Sequence, residues 1–174
     1  MSKTKKMILS SLLLALTIVL SRFLSINTTF LVIGFSFVPV AFAGYLLGPK
    51  YAVTISGLAD LIGAILFPFG TYFIGFTISA ILKGLIYGIV LYKKGEEQTN
   101  KELIIRLIIA CTAVILFVDV IMNGFWLMIM YDKAFLAVLS TRIGAQAVML
   151  PIQVITMIGL INILKPTVKK YLLD

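Results

Sequence analysis

Long apolar runs, separated by short polar or turn-forming segments, dominate the chain. Each run approaches the ~20 apolar residues that a helix needs to cross a bilayer. We predict membrane-spanning helices at residues 7–24, 31–48, 51–67, 72–92, 103–130 and 143–164. LLGPKY at 46–51 divides the second run from the third, because glycine and proline end one helix and start another. The pattern predicts an all-α membrane protein with six transmembrane helices, in which residues 1–174 form a single integral membrane domain.

Composition and charge support this prediction and add an orientation. Hydrophobic residues make up 61% of the chain and charged residues 13%, against about 25% charged in soluble domains. If the N-terminus is cytoplasmic, eleven lysines and arginines fall in cytoplasmic segments and three in outer ones. Cytoplasmic segments of membrane proteins carry the excess of positive charge. We therefore expect both termini in the cytoplasm, and the net charge of +8 needs no nucleic-acid partner.

The first apolar run follows Lys3, Lys5 and Lys6, as the apolar region of a secretory signal peptide would. No small-residue cleavage site follows before Arg22. We expect this run to remain in the protein as its first helix.

Two charges lie inside apolar runs. Asp60 is ten residues past Lys50, about 15 Å along a helix and hence near the midplane of the membrane. Lys83 is eleven residues past Tyr72 on the next, antiparallel helix, so it reaches a similar depth. Because a lone charge at this depth is costly, we expect an intramembrane Asp60–Lys83 pair that fixes the register of the two helices. A proton or ion relay and direct ligand contact remain alternatives.

Polar stripes on the last two predicted helices indicate a cavity. Asp119, Asn123 and Trp126 are spaced i, i+4 and i+7, and therefore share one helical face. Arg142 and Gln146 begin a second stripe, which Gln153 continues inward from the outer surface. Polar side chains in a membrane span normally face the bundle interior or a wet cavity. We favour a cavity in the outer half, with hydrogen bonds in a dry core as the alternative.

The outer half also offers aromatic walls and further polar residues. The aromatic residues of this region are Phe67, Phe69, Tyr72, Phe73 and Trp126. A planar heteroaromatic ligand with an acidic tail suits such a pocket: Asp119 would accept from the ring, and two shallow arginines, Arg22 and Arg142, would bind the tail. Folate has this layout. The candidate ligand-binding residues are Arg22, Asn27, Phe67, Tyr72, Asp119, Asn123, Trp126, Arg142 and Gln146.

Four stretches carry a resemblance to a known family. They are LSSLLLALTIVLSRFLSI, IGFSFVPVAFAGYLLGP, GLADLIGAILFPFG and ISAILKGLIYGIVLY. Through them the whole chain resembles the S component, the membrane-embedded substrate-capturing subunit, of energy-coupling factor (ECF) vitamin transporters, and most closely the folate-specific type. The resemblance implies six helices that bind the vitamin from outside, a transmembrane coupling subunit, and two cytoplasmic ATPase subunits.

The same resemblance implies roles for particular segments. The loops at Phe23–Val32 and Phe67–Tyr72 would gate the pocket, and the subunit would topple in the membrane to release the vitamin inside. Docking on the coupling subunit would use an alanine pair with three residues between its members. Ser11 and Ala15 stand at this spacing. Serine departs from the pattern but keeps the surface small enough for close helix approach.

Several functions are disfavoured by what the sequence lacks. It has no histidine, a single cysteine within an apolar run (Cys111), and no P-loop sequence. We expect no metal, no cofactor and no enzymatic activity, so that partner subunits would hydrolyse ATP. Another planar vitamin, thiamine or riboflavin, is the close alternative. A proton-coupled secondary transporter using Asp60 or Asp119 is less favoured, since the two sides of KKGEEQTNK at 93–101 show no internal repeat.

Overall fold

The computed structural model describes residues 1–27, 32–68, 71–93, 99–131 and 135–168. Its elements are α1 (Lys3–Arg22), β1 (Ser25–Asn27), β2 (Val32–Gly34), α2 (Phe37–Leu47), α3 (Pro49–Leu66), α4 (Ile74–Leu91), α5 (Asn100–Ala113), a π-helical segment (Val114–Met122), α6 (Asn123–Tyr131) and α7 (Phe135–Val168). The two strands pair antiparallel as a hairpin. α5, the π-helical segment and α6 form one continuous helix of 32 residues.

Helices occupy all six predicted regions, but the second differs from its prediction. The predicted span at 31–48 is corrected to a strand followed by α2, which has 11 residues. Val32 and Ile33 are β-branched and favour extended backbone, and they pair with β1. At 1.5 Å per residue α2 is about 17 Å long, short of the ~30 Å hydrocarbon core. Among the described residues, five helices are long and apolar enough to cross a membrane.

The turn between α2 and α3 follows the predicted punctuation. Gly48 ends α2 with φ 89°, a conformation that glycine adopts without steric cost. Its N–H donates to the carbonyl oxygens of Ala43 and Gly44. Pro49 then begins α3, where its fixed φ suits the first helical position. The short turn sets α2 and α3 side by side.

The most extensive helix contact joins α3 and α4. Gly84 makes this approach possible, because a Cβ at this position would lie 2.5 Å from the carbonyl oxygen of Ala52. Small residues allow membrane helices to pack at such short range. The register of α3 against α4 therefore depends on Gly84.

The two ends of the bundle differ in polarity. An apolar core lies where α4 ends and α5 begins, and it includes Leu91, Leu103, Leu107, Met157 and Ile161. The opposite end carries the paired strands β1 and β2 and residues 67–68 and 71–73; we call it the hairpin face. Buried polar residues cluster toward the hairpin face, where α1, α3 and α6 end and α4 and α7 begin. The candidate functional site therefore lies toward the hairpin face.

Candidate functional site

A cavity of about 350 Å³ lies in the half of the bundle next to the hairpin face. Its walls come from α1, α2, α3, α4, the π-helical segment, α6 and α7. Small-molecule sites of proteins have volumes of about 300–1,000 Å³. The predicted cavity between the polar stripes is therefore present, and nearly every helix contributes to it.

Asp119 is the centre of the polar network on one wall. Its Oδ1 lies 2.6 Å from Lys83 Nζ of α4 and 3.3 Å from Asn123 Nδ2, which donates to it. Arg142 Nε of α7 donates to the Asp119 carbonyl oxygen at 2.7 Å. Asp119 belongs to the π-helical segment, and such segments occur frequently at functional sites. One residue thus connects three helices around the cavity.

A second network lies closer to the hairpin face. Arg22, the last residue of α1, has Nη2 at 3.9 Å from Asp60 Oδ1, and its Nη1 donates to the Phe67 carbonyl oxygen at 3.5 Å. Asp60 Oδ2 accepts from the Thr77 hydroxyl at 2.6 Å. The Tyr72 and Thr77 hydroxyls are hydrogen-bonded at 2.7 Å. The network ties the ends of α1 and α3 to the segment that leads into α4.

These contacts correct the predicted Asp60–Lys83 pair. Lys83 pairs with Asp119 instead, and Asp60 pairs with Arg22. By depth along the helices alone, two carboxylates, Asp60 and Asp119, lie at a level similar to that of Lys83. The choice depends on lateral arrangement: α1 packs on α3 and brings Arg22 to Asp60, while the π-helical segment packs on α4 and brings Asp119 to Lys83.

Most of the sequence-predicted site residues line this cavity. They are Arg22, Asp60, Tyr72, Lys83, Asp119, Asn123, Arg142 and Gln146. Phe67 and Trp126 are not among the lining residues. Phe67 packs edge-on against Phe23, and Trp126 Nε1 donates to Ser79 Oγ, a lining residue, at 3.1 Å. The Asn27 side chain and Phe69 lie outside the described part of the chain.

The predicted shallow position of Arg142 is wrong. Arg142 is only 6% exposed, and its side chain contacts the backbone of Asp119. α7 begins at Phe135, seven residues earlier, which places Arg142 about 10 Å from the start of the helix. Gln146, one turn further on, is 5% exposed. The second stripe is therefore deeper than its sequence suggested.

Sequence reasoning missed polar lining residues on three helices. On α4, Ser79 and Tyr87 lie four residues to either side of the predicted Lys83 and line the cavity with it. Thr17 and Ser21 on α1, and Ser56 four residues before the predicted Asp60 on α3, also line it. The helical periodicity that revealed the stripe around Asp119 would have found them. A hydroxyl group alone is a weak signal, because hydroxyl groups in apolar helices often bond to their own backbone, as Ser56 Oγ does to the Ala52 carbonyl oxygen.

Ser11 and Ala15, the predicted docking pair, lie elsewhere. Both are exposed on α1 and outside the cavity lining. The Ser11 hydroxyl donates to the Met7 carbonyl oxygen at 3.0 Å. Its hydrogen-bonding capacity is used within the helix, so the position presents a small surface to the outside.

This chain is similar to one family of known membrane-transport proteins. The family model described as ECF transporter, substrate-specific component, matches residues 5–165. The folate transporter FolT of Clostridium novyi (strain NT) is 38% identical over 91% of this chain and 89% of that protein. FolT of Leuconostoc mesenteroides is 33% identical, over 96% of this chain and 91% of its own length.

A solved structure agrees with these relatives. A crystal structure of FolT bound with folic acid superimposes with a TM-score of 0.81 at 37% identity, covering 91% of this chain and 93% of that one. The family match spans nearly the whole chain, and both the sequences and the fold agree with it. This chain is a membrane-transport protein that belongs to the substrate-specific components of ECF transporters, the family its sequence resembles.

Proposed function

We propose that this chain captures folate in the cavity at the hairpin face. Both relatives compared above are folate transporters, and the neighbouring crystal structure contains folic acid. The observation that carries the proposal is the charge of the cavity in this fold. Arg22, Lys83 and Arg142 line it against two carboxylates, Asp60 and Asp119, which leaves one net positive charge. This balance favours an acidic ligand.

The arrangement of the lining suggests how folate lies. Arg22 and Tyr72 lie near the hairpin face. The acidic tail of folate would bind the Arg22 guanidinium there, without reaching the network around Asp119. Asn123, Arg142 and Gln146 are all less than 10% exposed and offer polar groups to the ring. Trp126 supports the wall through its hydrogen bond to Ser79. Phe67 and Asn27 remain candidate ligand-binding residues from the sequence.

The proposed orientation puts the hairpin face outside the cell. With six helices inserted, α2 included, both termini are cytoplasmic in a multi-pass protein of the cell membrane. Eleven of the lysines and arginines then fall on the cytoplasmic side and three outside. The loops at Phe23–Val32 and Phe67–Tyr72 would gate the cavity. Two contacts near its wall involve the second loop: Arg22 donates to the Phe67 carbonyl oxygen, and the Tyr72 and Thr77 hydroxyls are hydrogen-bonded.

Transport then requires partners. We expect a transmembrane coupling subunit, against which the chain topples to release folate inside, and two cytoplasmic subunits that hydrolyse ATP. Ser11 and Ala15 supply a small, exposed surface on α1 for the coupling subunit. The chain itself binds and reorients.

Uptake of labelled folate by cells that lack their own folate transporter tests this function. We expect uptake only when the chain is expressed together with a coupling subunit and both ATPase subunits. An ionophore that dissipates the proton gradient should leave the initial rate unchanged while ATP is maintained. Full uptake by the chain alone, abolished by the ionophore, would contradict the proposal and indicate a proton-coupled transporter.

A further inference from the structure

Two buried amide oxygens in the cavity wall lack a hydrogen-bond donor. They are Asn123 Oδ1 and Gln146 Oε1, and neither has a partner among the described residues. Asn123 is 7% exposed and Gln146 5%, and both residues line the cavity. A buried acceptor left unsatisfied is costly, so most buried polar groups in proteins are paired. These two oxygens therefore point to a donor that the protein itself does not supply.

The orientation of the Asn123 amide follows from its neighbour. Asp119 Oδ1 can only accept, so the Asn123 Nδ2 group faces it, at 3.3 Å. The Asn123 oxygen is consequently turned away from the carboxylate. The same Asp119 Oδ1 also lies 2.6 Å from the Lys83 ammonium. The carboxylate with its lysine is a neutral pair, whereas the two amide oxygens are buried acceptors that have no donor among the described residues.

We propose that Asn123 and Gln146, rather than the Asp119 carboxylate, recognise the donor edge of the ligand's heteroaromatic ring. This inference rests on the proposed function. The pteridine ring of folate presents an exocyclic amino group next to a ring N–H, two donors on one edge. The inference requires that the oxygens of the two side chains turn to this edge when the ligand is bound. A site built to bond a donor rejects an analogue that lacks it, because its own acceptors are then left unpaired.

A neighbouring glutamine provides a matched control. Gln153 is on the same helix, lines the cavity and is also 5% exposed, but its Oε1 accepts from the Tyr87 hydroxyl at 3.4 Å. Substitution by methionine keeps the approximate shape of either side chain and removes its acceptor. Gln146→Met should therefore change ligand selectivity, whereas Gln153→Met should not.

The test measures the ratio of two dissociation constants by calorimetry on the purified full-length chain. The ligands are folic acid and its analogue in which hydrogen replaces the exocyclic amino group. We expect the wild type to prefer folic acid by about tenfold or more, as the loss of one hydrogen bond to a buried acceptor implies. In Gln146→Met or Asn123→Leu this ratio should fall below about threefold. Gln153→Met should keep the wild-type ratio whatever its affinity.

Two results would overturn the inference: a wild type that does not distinguish the ligands, or two variants, Gln146→Met and Asn123→Leu, that both keep the wild-type ratio. A melting curve for each variant checks that it is folded, and a ratio is independent of the fraction of active protein. If the wild type does not bind folic acid at all, the proposed function itself fails along with the inference. The wild-type titration with folic acid alone separates that failure from the others.

Discussion

Lys83 and Asp119 form an ion pair in the cavity wall, with Nζ 2.6 Å from Oδ1, and join α4 to the π-helical segment. The Asp119 side chain is 10% exposed and that of Lys83 33%. Removing one member of such a pair leaves a partly buried charge without its partner. The pair therefore stabilises the packing of α4 against the π-helical segment in the cavity wall.

Breaking this pair should destabilise the fold. We expect Lys83→Met or Asp119→Leu to lower the free energy of unfolding by about 1–3 kcal/mol, less than for a fully buried pair because a third of Lys83 is exposed. The double variant should lose less than the sum of the two. Denaturant titration of the purified variants in detergent measures all three. Strictly additive losses would mean that the two residues do not interact.

Arg22 should matter for the acidic end of the ligand. Arg22→Gln removes the guanidinium near the hairpin face, and we expect it to weaken folic acid binding about 10- to 100-fold, the range for a charged hydrogen bond. Pteroic acid, which lacks the glutamate, should lose clearly less. Calorimetry with both ligands gives the comparison.

Arg106→Gln is the control for Arg22→Gln. Arg106 pairs with Glu102 at the other end of the bundle, with Nη2 3.0 Å from Oε1. Arg106→Gln should leave the affinities for folic acid and for pteroic acid unchanged. An equal loss for the two ligands in Arg22→Gln would argue that Arg22 only holds the Phe67 carbonyl and the hairpin face together.

The close approach of α3 and α4 can be tested with a pair of glycines. Gly84→Ala places a methyl group 2.5 Å from the Ala52 carbonyl oxygen, so we expect a loss of about 1–3 kcal/mol in the free energy of unfolding. Gly159→Ala on α7 meets nothing within 4 Å among the described atoms. It should be neutral, or stabilising by up to about 1 kcal/mol. Similar changes in the free energy of unfolding at both positions would show that helix propensity, and not the packing of α3 on α4, determines the effect of Gly84→Ala.

The exposed face of α1 should affect assembly without affecting the cavity. Ser11→Leu with Ala15→Leu enlarges two exposed side chains outside the cavity lining. We expect co-purification with the coupling subunit to fall severalfold, because small residues allow close helix approach. Folic acid affinity should remain that of the wild type. Ala147→Leu, an exposed alanine on α7, is the control and should assemble normally. Normal assembly of the Ser11/Ala15 variant would place docking on another face.

Helical periodicity and depth along the helices predicted many of the cavity residues. The pairing of the charges depends on which helices pack side by side, which these two signals do not give. The i, i+4 spacing of Asp119 and Asn123 placed both correctly in the cavity wall. Counting residues from Lys50 put Asp60 at the depth of Lys83, but depth alone could not tell that Arg22 is its partner. Which neighbour a charge meets depends on how helices distant in sequence pack, and no local pattern encodes it.

Local irregularity was the other source of error. The apolar run at 31–48 has the composition of a membrane span, yet its first residues form a strand because they pair with β1, outside the run itself. The nine-residue π-helical segment around Asp119 contains no glycine or proline that would indicate it in the sequence. α7 begins at Phe135, eight residues before the predicted 143, and this shift changes Arg142 from a surface residue to a buried one.

Equilibrium binding tests the central claim most directly. The purified chain would be titrated in detergent with folic acid, thiamine and riboflavin separately, by calorimetry and by the fluorescence of Trp126, the single tryptophan, which bonds to the cavity residue Ser79. We predict saturable, one-to-one binding of folic acid alone, with a fluorescence change after correction for absorbance by the ligand. Binding of thiamine or riboflavin but not folic acid would contradict the proposed substrate.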